Sequence, residues 1–354
     1  MSPPADLFGD TPAAIVPARA TPAPDRDIGR LPRPATDSPL RLTPPANVYL
    51  GTSSWSFPGW RMVWEGRHSP GTLSRQGLPA YAALGLFRTV GIDRSFYGPL
   101  SSEQYAEYRA QVPDTFRFLV KAPGLVTDAV TRGEDGRGLA PNRCFLDVDL
   151  AVERFVEPAM QGLGETAGPL VFQFSPVPRA MLEDPARWVE ALQAFLAALP
   201  REVAGRRPLY AVELRNPEFL TPRLMRALRD TGTRYVIGLH DRMPPAERQA
   251  AALRVLDGGS GEGWEPAGPL IVRWNLRPGF QYEQAKERYE PFDRLVDEDP
   301  ATRHLLARLV AVTVRAGQPA FVIANNKAEG SSPLTILKIH ETLAGMLGAP
   351  GPAM

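Results

Sequence analysis

Cysteine and histidine are scarce in this chain of 354 residues. It has one cysteine, Cys144, and four histidines that are scattered along the sequence. A single cysteine cannot form an internal disulfide, and dispersed histidines form no cluster of Cys/His metal ligands. We therefore expect no disulfide framework and no metal ion, and we expect Cys144 to be a buried, inert thiol.

Long apolar runs are missing as well. Even one of the longest largely apolar stretches, 208–214, is far shorter than the roughly 18 residues of a membrane-spanning helix. The amino terminus never builds the apolar core of a signal peptide. These absences predict a protein without a membrane span that is located in the cytoplasm.

Charge of one sign is not in excess either. Forty Lys and Arg residues face 39 Asp and Glu residues, which leaves a net charge of +1, and no dense basic run occurs. Nucleic acids and anionic membranes need a concentrated positive field, so both are unexpected partners. Glycine-rich nucleotide fingerprints and the G-x-S-x-G serine elbow are also absent, and we expect no cofactor.

The first 45 residues contain 11 of the prolines and few large apolar side chains. Such a segment buries too little surface to offset the entropy of ordering it. Residues 1–45 are therefore predicted to be a disordered, polyproline-rich arm. It is either a solubilising tail or an arm that docks a protein partner.

From residue 47 onward, short apolar runs alternate with polar loops and segments of helical periodicity. The eight runs are 48–53, 87–92, 116–120, 170–174, 209–214, 235–239, 270–274 and 320–324. Near-continuous apolar runs are typical of parallel strands that are buried on both faces. Eight such units predict one domain, residues 46–354, folded as a (β/α)₈ TIM barrel. A doubly wound open sheet is the alternative.

Helix starts support this interpretation. Asp184-Pro185, Thr221-Pro222, Asp299-Pro300 and Ser332-Pro333 each place a capping oxygen before a proline of the first turn. Ser101 and Gln104 resemble a capping box. The longest interruptions, 124–142 and 257–268, are predicted to be surface loops near the barrel mouth.

In a parallel barrel, the carboxyl ends of all strands meet on one face, where ligand sites lie. The polar and aromatic residues at the predicted ends are Thr52, Ser53, Trp55 and Trp60, Asp93 and Tyr97, Lys121, Gln173, Glu213 and Arg215, His240 and Asp241, Arg273 and Asn275, and Asn325 and Asn326. Aromatic residues among them either stack on a ligand or close the core. His240 is either a structural hydrogen-bonding group or a proton carrier.

Lys121 and Glu213 are the candidates for proton transfer, with Asp241 as a third. Only four lysines occur in the chain, and Lys121 stands at a predicted strand end. An ammonium group at such a place can serve as acid, base or anion anchor. Burial would raise the pKa of Glu213, whereas pairing with Arg215 or Lys121 would lower it. With Asp241 or Asp93, Glu213 could form a carboxylate pair of the glycosidase type.

Several short motifs occur in a specific order. They are Gly-Thr-Ser-Ser-Trp-Ser-Phe-Pro-Gly-Trp at 51–60, Phe-Tyr at 96–97, Phe-Arg-Phe at 116–118 with Lys-Ala-Pro at 121–123, Phe-Gln at 172–173, Ala-Val-Glu-Leu-Arg at 211–215 and Asn-Asn at 325–326. From residue 47 to about 347, this order resembles the YecE-like family, domain of unknown function 72. The resemblance implies a TIM barrel and no established activity.

The chain departs from the family pattern at two candidate site positions. Gly91 stands where the family carries a glutamate, and Asn275 stands where it carries a histidine. The leading hypothesis is a protein that binds, and hydrolyses or isomerises, a small polar metabolite that is anionic or sugar-like. Lys121 and Arg215 would anchor it, and Glu213 would act as acid or base. The alternative is a non-catalytic binding or scaffold protein.

Overall fold

Eight parallel strands form a closed barrel at the centre of the protein. The computed structural model describes residues 31–132, 138–259 and 264–348. The barrel strands are β1 (Val48–Thr52), β2 (Phe87–Ile92), β3 (Arg117–Lys121), β4 (Ala167–Gln173), β5 (Leu209–Glu213), β6 (Arg234–Leu239), β7 (Leu270–Trp274) and β8 (Ala320–Ala324). Each strand pairs with its neighbours in sequence, and β8 closes on β1.

The closure distinguishes the barrel from the open sheet that was the alternative. Ala320 pairs with Val48 and Ala324 pairs with Thr52, so the last strand lies in register beside the first. All eight predicted apolar runs are strands. The prediction of a parallel (β/α)₈ barrel is therefore confirmed, and the doubly wound sheet is wrong.

Helices follow every strand and cover the outside of the barrel. They are α1 (Pro70–Gln76), α2 (Leu78–Ala82), α3 (Ser102–Arg109), α4 (Gly124–Thr127), α5 (Val148–Ala151), α6 (Glu157–Leu163), α7 (Arg179–Leu182), α8 (Pro185–Ala198), α9 (Pro222–Asp230), α10 (Ala246–Leu256), α11 (Tyr282–Tyr289), α12 (Pro300–Arg315) and α13 (Ser332–Leu347). Short 3₁₀ turns lie at Arg94–Phe96, Gly164–Thr166 and Pro217–Phe219, and a π-helical turn spans Val152–Val156. Within the described residues, no helix is long and apolar enough to cross a membrane.

The helix starts follow the capping signals with one exception. Asp184, Thr221 and Asp299 each accept a hydrogen bond from a first-turn backbone N–H, and Ser101 forms the predicted capping box with Gln104. The fourth prediction is displaced by one residue. Ser331 is the cap of α13, while Ser332 lies inside the helix and donates its hydroxyl to Asn326.

The described part of the predicted arm differs from the expectation. Residues 1–30 lie outside the described residues. Arg33–Pro34 forms a short antiparallel pair with Trp64–Glu65, and Leu40 is fully buried. Ser38 donates a hydrogen bond to the Met62 carbonyl at 2.5 Å. Residues 31–45 therefore pack on the barrel, because their few apolar side chains find a core that the sequence pattern did not indicate.

The two long interruptions carry some regular structure. Within 124–142, helix α4 precedes a two-stranded hairpin of Val130–Arg132 and Gly138–Pro141, where only loop was expected. Residues 133–137 and 260–263 lie outside the described residues. In the second interruption, Asp257 is anchored by Arg234 at 2.6 Å and accepts a hydrogen bond from Trp264 at 2.7 Å.

An apolar layer fills the middle of the barrel. A separate cluster of buried side chains is contributed by alternate positions of six strands: Leu119, Val171, Ala211, Val236, Ile271, Phe321 and Ile323. Because side chains alternate between the two faces of a strand, the next inward positions come two residues later. Those positions lie toward the carboxyl end of the barrel.

Candidate functional site

A polar layer lies directly above the apolar layer. Its members Lys121, Gln173, Glu213 and Arg273 each come two residues after a member of the apolar layer, and all four are fully buried. Buried charged side chains are rare unless they are paired. The strand alternation therefore brings three ionisable groups and one amide from four different strands to the same end of the barrel interior.

Glu213 stands at the centre of the polar layer. Its carboxylate accepts a hydrogen bond from Arg273 Nη1 at 2.7 Å and one from Asn275 Nδ2 at 3.0 Å. Arg215 Nη1 donates to Oε1, the oxygen that also accepts from Asn275, while Arg273 donates to Oε2. Three donors from β5 and β7 thus fix both carboxylate oxygens, which is the pattern of a satisfied buried anion.

Gln173 and Asp93 extend this network across the barrel. The amide oxygen of Gln173 accepts from Arg215 Nη2 at 2.9 Å and from Arg273 Nη1 at 3.1 Å. Both carboxylate oxygens of Asp93 lie 3.0 Å from Arg273 Nη2. One guanidinium therefore links the ends of β2, β4, β5 and β7, so the predicted residues Asp93, Gln173, Glu213 and Arg273 form one hydrogen-bonded network.

The protonation state of Glu213 follows from this geometry. Burial raises its pKa, but the charges and hydrogen bonds of Arg215 and Arg273 outweigh burial and hold the pKa at about 2. Of the two outcomes that the sequence left open, pairing prevails. At neutral pH the group is a carboxylate, which suits an electrostatic stabiliser; it cannot donate a proton, and with so low a pKa it accepts one only weakly.

Gly238 makes room for the ion pair, and the sequence analysis missed it. A Cβ atom at this position of β6 would lie 3.1 Å from Glu213 Oε1 and 3.5 Å from Arg215 Nη1. A glycine inside a strand often marks a close approach of another group. That signal was present in the sequence, but it does not say which group approaches.

His240 and Asp241 lie at the entrance above the polar layer. The side chain of His240 is 14% exposed and that of Asp241 is 30% exposed. The imidazole Nδ1 contacts the Asp241 carboxylate without the alignment of a hydrogen bond. Burial and repulsion from Arg215 lower the pKa of His240 to about 3, so the imidazole is neutral at physiological pH.

Lys121 lies under an aromatic ring at the end of β3. Its ammonium nitrogen is 3.8 Å from the centre of the Phe96 ring, which is a cation–π distance. Phe96 in turn contacts Tyr97 edge to face, and Tyr97 is 49% exposed at the mouth. The pair Phe96 and Tyr97 therefore forms one wall between Lys121 and solvent.

The tryptophans close the core, which is one of the two roles that the sequence allowed. Trp55 is largely buried and donates to the Leu73 carbonyl at 3.1 Å, while Trp60 and Trp274 are fully buried. Thr52 is held by the Tyr81 hydroxyl at 2.8 Å. Trp55, Trp60 and Thr52 thus have structural partners.

The end of β8 is held from several sides. Asn326 accepts hydrogen bonds from Trp60 Nε1 at 3.1 Å and from the backbone N–H of Ser332 at 2.9 Å. Asn325 accepts from the Lys327 backbone N–H at 3.0 Å. Ser53 lies beside this loop, with its hydroxyl 3.5 Å from the Ala324 carbonyl. These contacts order the rim of the mouth and tie β1 to β8.

Some buried polar atoms at this end of the barrel have no hydrogen-bond partner within the described residues. They are Gln173 Nε2, Arg215 Nε, Asn275 Oδ1 and Asn326 Nδ2. The orientation of Gln173 is fixed, since its oxygen accepts from two guanidinium groups. Three of the four atoms are donors, and a buried donor without an acceptor costs about 1–3 kcal/mol. A ligand rich in acceptor atoms would suit the three donors.

In the described part of the chain, no three His, Cys, Asp or Glu side chains are arranged to hold a metal ion. The two carboxylates of the network are engaged by arginine, because Arg215 and Arg273 bind Glu213 and Arg273 also binds Asp93. The ionisable groups at this end of the barrel are arginine, lysine, carboxylate and imidazole groups.

The closed barrel and the buried polar layer at its carboxyl end define a TIM-barrel protein with a candidate ligand site at the mouth. The model of a family described as "Protein of unknown function DUF72" matches residues 49–353. The chain belongs to this family, which is the YecE-like family that the motifs resemble.

Two solved structures of the family share the fold. A DUF72 family protein from Thermotoga maritima is 20% identical, with a TM-score of 0.54 over 85% of this chain and 99% of that one. A DUF72 family protein from Enterococcus faecalis is 18% identical, with a TM-score of 0.51 over 84% of this chain and 95% of that one. No curated protein matches the chain.

Proposed function

We propose that this protein binds a small polar metabolite at the carboxyl-terminal mouth of the barrel and hydrolyses or isomerises it. The observation that carries the proposal is the convergence of buried charged groups in one place. Glu213 contacts both Arg215 and Arg273, and Arg273 reaches Asp93. If these residues had separate structural roles, each would contact a different partner in a different part of the barrel.

The cost of this network supports a ligand-binding role. Burying charged pairs is often neutral or unfavourable for stability compared with apolar packing of the same volume. The apolar layer two residues below shows that these strands accommodate apolar side chains inside the barrel. Charge retained in such a position is a reason to infer function, since buried charged groups cluster at binding and catalytic sites.

The roles of the individual groups follow from their charge. Arg215 and Lys121 would anchor the ligand, since Arg215 keeps an unsatisfied Nε and Lys121 is fully buried at the same end of the barrel. Glu213, as a carboxylate, would act as base or stabilise positive charge. Asp241, at the entrance, is the third candidate for proton transfer.

One observation favours the alternative of binding without turnover. Glu213 is saturated by three donors, and Asp93 binds Arg273 with both oxygens, so neither carboxylate is positioned as an acid. A two-carboxylate glycosidase needs one protonated partner. A binding protein needs only the donors.

The cytoplasmic location expected from the sequence stays part of the proposal.

Thermal unfolding with a panel of sugars, sugar phosphates, organic acids and nucleotides tests the proposal. A ligand at a hundred times its dissociation constant adds about 2.7 kcal/mol. For about 310 ordered residues this corresponds to a rise of roughly 4 °C in the midpoint. The variants Lys121→Met and Arg215→Met are each expected to lose the rise, measured against their own midpoints.

Arg234→Met provides the matched control. Arg234 is also a largely buried arginine with a carboxylate partner, Asp257, but it begins β6 at the opposite end of the barrel. This variant is expected to unfold at a lower temperature and to keep the full ligand response. Loss of the response in Arg234→Met, or no response of the parent to any compound, would contradict the proposal.

A further inference from the structure

His240 lies just beyond the end of β6, next to the polar layer. In the pairing of β6 with β7, Gly238 lies opposite Arg273 and Leu239 lies opposite Trp274. His240 therefore lies beside Asn275, and the two residues follow Gly238 and Arg273 by two positions on the same inward face. Its side chain is 14% exposed, whereas the side chains of Arg215 and Arg273 are buried.

The charges that act on His240 come from every neighbouring strand. Arg215 of the segment after β5, Arg273 of β7 and Arg242 of its own loop disfavour a second proton, while Glu213 favours one. Asp241 contacts Nδ1. Burial is the largest cause that lowers the pKa, and Arg215 is the next. The imidazole is neutral because it is largely buried and because more arginine charge than carboxylate charge acts on it.

Two buried donors at this end of the barrel lack an acceptor in the part of the chain that the structure describes. Gln173 Nε2 and Arg215 Nε are buried and have no hydrogen-bond partner within the described residues. The two side chains are neighbours, since Arg215 Nη2 donates a hydrogen bond to the Gln173 oxygen at 2.9 Å. An oxyanion is the ligand group that offers several strong acceptors to amide and guanidinium donors.

We propose that an anionic group of the ligand binds against Arg215 and Gln173, and that this anion promotes proton uptake by His240 in acid solution. The inference rests on the proposed function in requiring a ligand at this mouth, and it narrows that ligand to an anion. The bound anion offsets the positive charge of the arginines, so the imidazolium is no longer repelled. Because a rise of about 1 to 3 from about 3 keeps the pKa of His240 below neutral, the imidazole would be protonated in part only below about pH 6.

Nuclear magnetic resonance of the imidazole groups measures this coupling in the intact chain. The probe is sulfate, an oxyanion that does not itself titrate between pH 4 and 7, compared with chloride at equal ionic strength. The four histidines are few enough to assign, with the His240→Gln variant identifying one signal. Sulfate is expected to raise the pKa of His240 by about 1 to 3, as an opposite charge within a few ångströms does.

Reciprocity supplies an independent readout. If sulfate promotes protonation, protonation must strengthen sulfate binding by the same factor, which is about tenfold for each unit of pKa. Calorimetric affinity for sulfate should therefore rise as the pH falls, and binding should take up protons in proportion; release of protons would contradict the proposal. His340 of α13, whose pKa is also lowered by burial, serves as an internal control and should not respond.

The outcomes separate this inference from the proposed function. Binding of sulfate that leaves the pKa of His240 unchanged overturns the proton uptake and leaves the proposed function standing. No stabilisation by sulfate or by any anion of the ligand panel overturns the anionic ligand, while a neutral sugar that stabilises the protein would keep the proposed function. If no compound of the panel raises the unfolding midpoint, both the anionic ligand and the proposed function are wrong.

Two variants make the cause testable without the ligand. Arg242→Gln changes an exposed side chain and is expected to fold normally, with a small rise in the pKa of His240 in the empty site. Arg215→Gln is expected to raise it further and to abolish the response to sulfate. An unchanged pKa of His240 in both variants would show that burial alone keeps the imidazole neutral, and the proposal would be wrong.

Discussion

The apolar layer and the polar layer use the same strands at positions two residues apart, yet they have opposite characters. Leu119 gives way to Lys121 on β3, and Ile271 gives way to Arg273 on β7. Both layers are buried to the same extent. The apolar layer needs only volume and shape, whereas the polar layer needs every charge to find a partner with correct geometry.

This difference indicates where the fold stores stability and where it stores function. Removing a methyl group from the apolar layer leaves a small cavity, and neighbouring side chains can partly relax around it. Removing one charge from the polar layer leaves its partners buried and uncompensated. The two layers should therefore respond differently to substitution, to pH and to added volume.

Glu213→Ala should have the largest effect of the substitutions considered. It leaves Arg215 and Arg273 without their shared carboxylate in a fully buried place. Breaking a buried pair in this way costs about 3–5 kcal/mol. Urea denaturation at pH 7 measures the change in the free energy of unfolding, and a cost below about 1 kcal/mol would show that the network is not energetically coupled.

Acid should weaken the polar layer before it affects the apolar layer. The pKa of Glu213 is about 2 in the folded protein and about 4.5 as the ordinary value. Because folding lowers the pKa, the contribution is fully present above about pH 4.5 and is lost as the pH falls toward 2. It amounts to about 3 kcal/mol.

The measurement is the stability difference between the parent and Glu213→Gln across this pH range. The other carboxylates titrate in both proteins and cancel in the difference. The advantage of the parent should shrink from pH 4.5 downward. A difference that stays constant with pH would mean that Glu213 contributes through its shape and not through its charge.

Gly238→Ala adds volume to the polar layer. The new methyl group would lie 3.1 Å from Glu213 Oε1 and 3.2 Å from Glu213 Cγ, so the ion pair must shift. Overpacking of this kind costs about 1–3 kcal/mol. The free energy of unfolding measures it. Gly98→Ala is the matched control, because open space surrounds this glycine and its φ is not positive. Gly205→Ala is less suitable, because the positive φ of Gly205 would strain an alanine there.

Ile271→Val in the apolar layer should have the smallest effect. It removes one buried methylene group and costs about 1 kcal/mol. Its effect on the free energy of unfolding should be independent of pH between 7 and 3, in contrast with the Glu213 variants. A pH-dependent cost at Ile271 would show that the two layers are not energetically separate.

The strands and most helix starts could be predicted from the sequence because they depend on local signals. Apolar runs such as 320–324 are long enough to identify a buried strand, and Asp184 before Pro185 identifies a helix start. The signal failed where local chemistry was ambiguous. Two adjacent serines, Ser331 and Ser332, both precede Pro333, and only the packed helix shows which one is the cap.

The amino-terminal boundary failed for a different reason. Residues 31–45 have the composition of a disordered segment, yet Leu40 is buried and Arg33–Pro34 pairs with Trp64–Glu65. Composition measures how much apolar surface a segment carries by itself. It does not measure how much surface the neighbouring barrel offers to that segment.

By itself, the sequence determined that eight parallel strands alternate with helices and that polar residues gather at their carboxyl ends, because strand and helix periodicity are local properties of the chain. Only the tertiary structure decided that Arg273 joins Glu213, Gln173 and Asp93, which lie 60, 100 and 180 residues away. It also decided that Glu213 is a carboxylate and His240 a neutral imidazole. Protonation depends on which charges lie within a few ångströms, and barrel closure sets those distances.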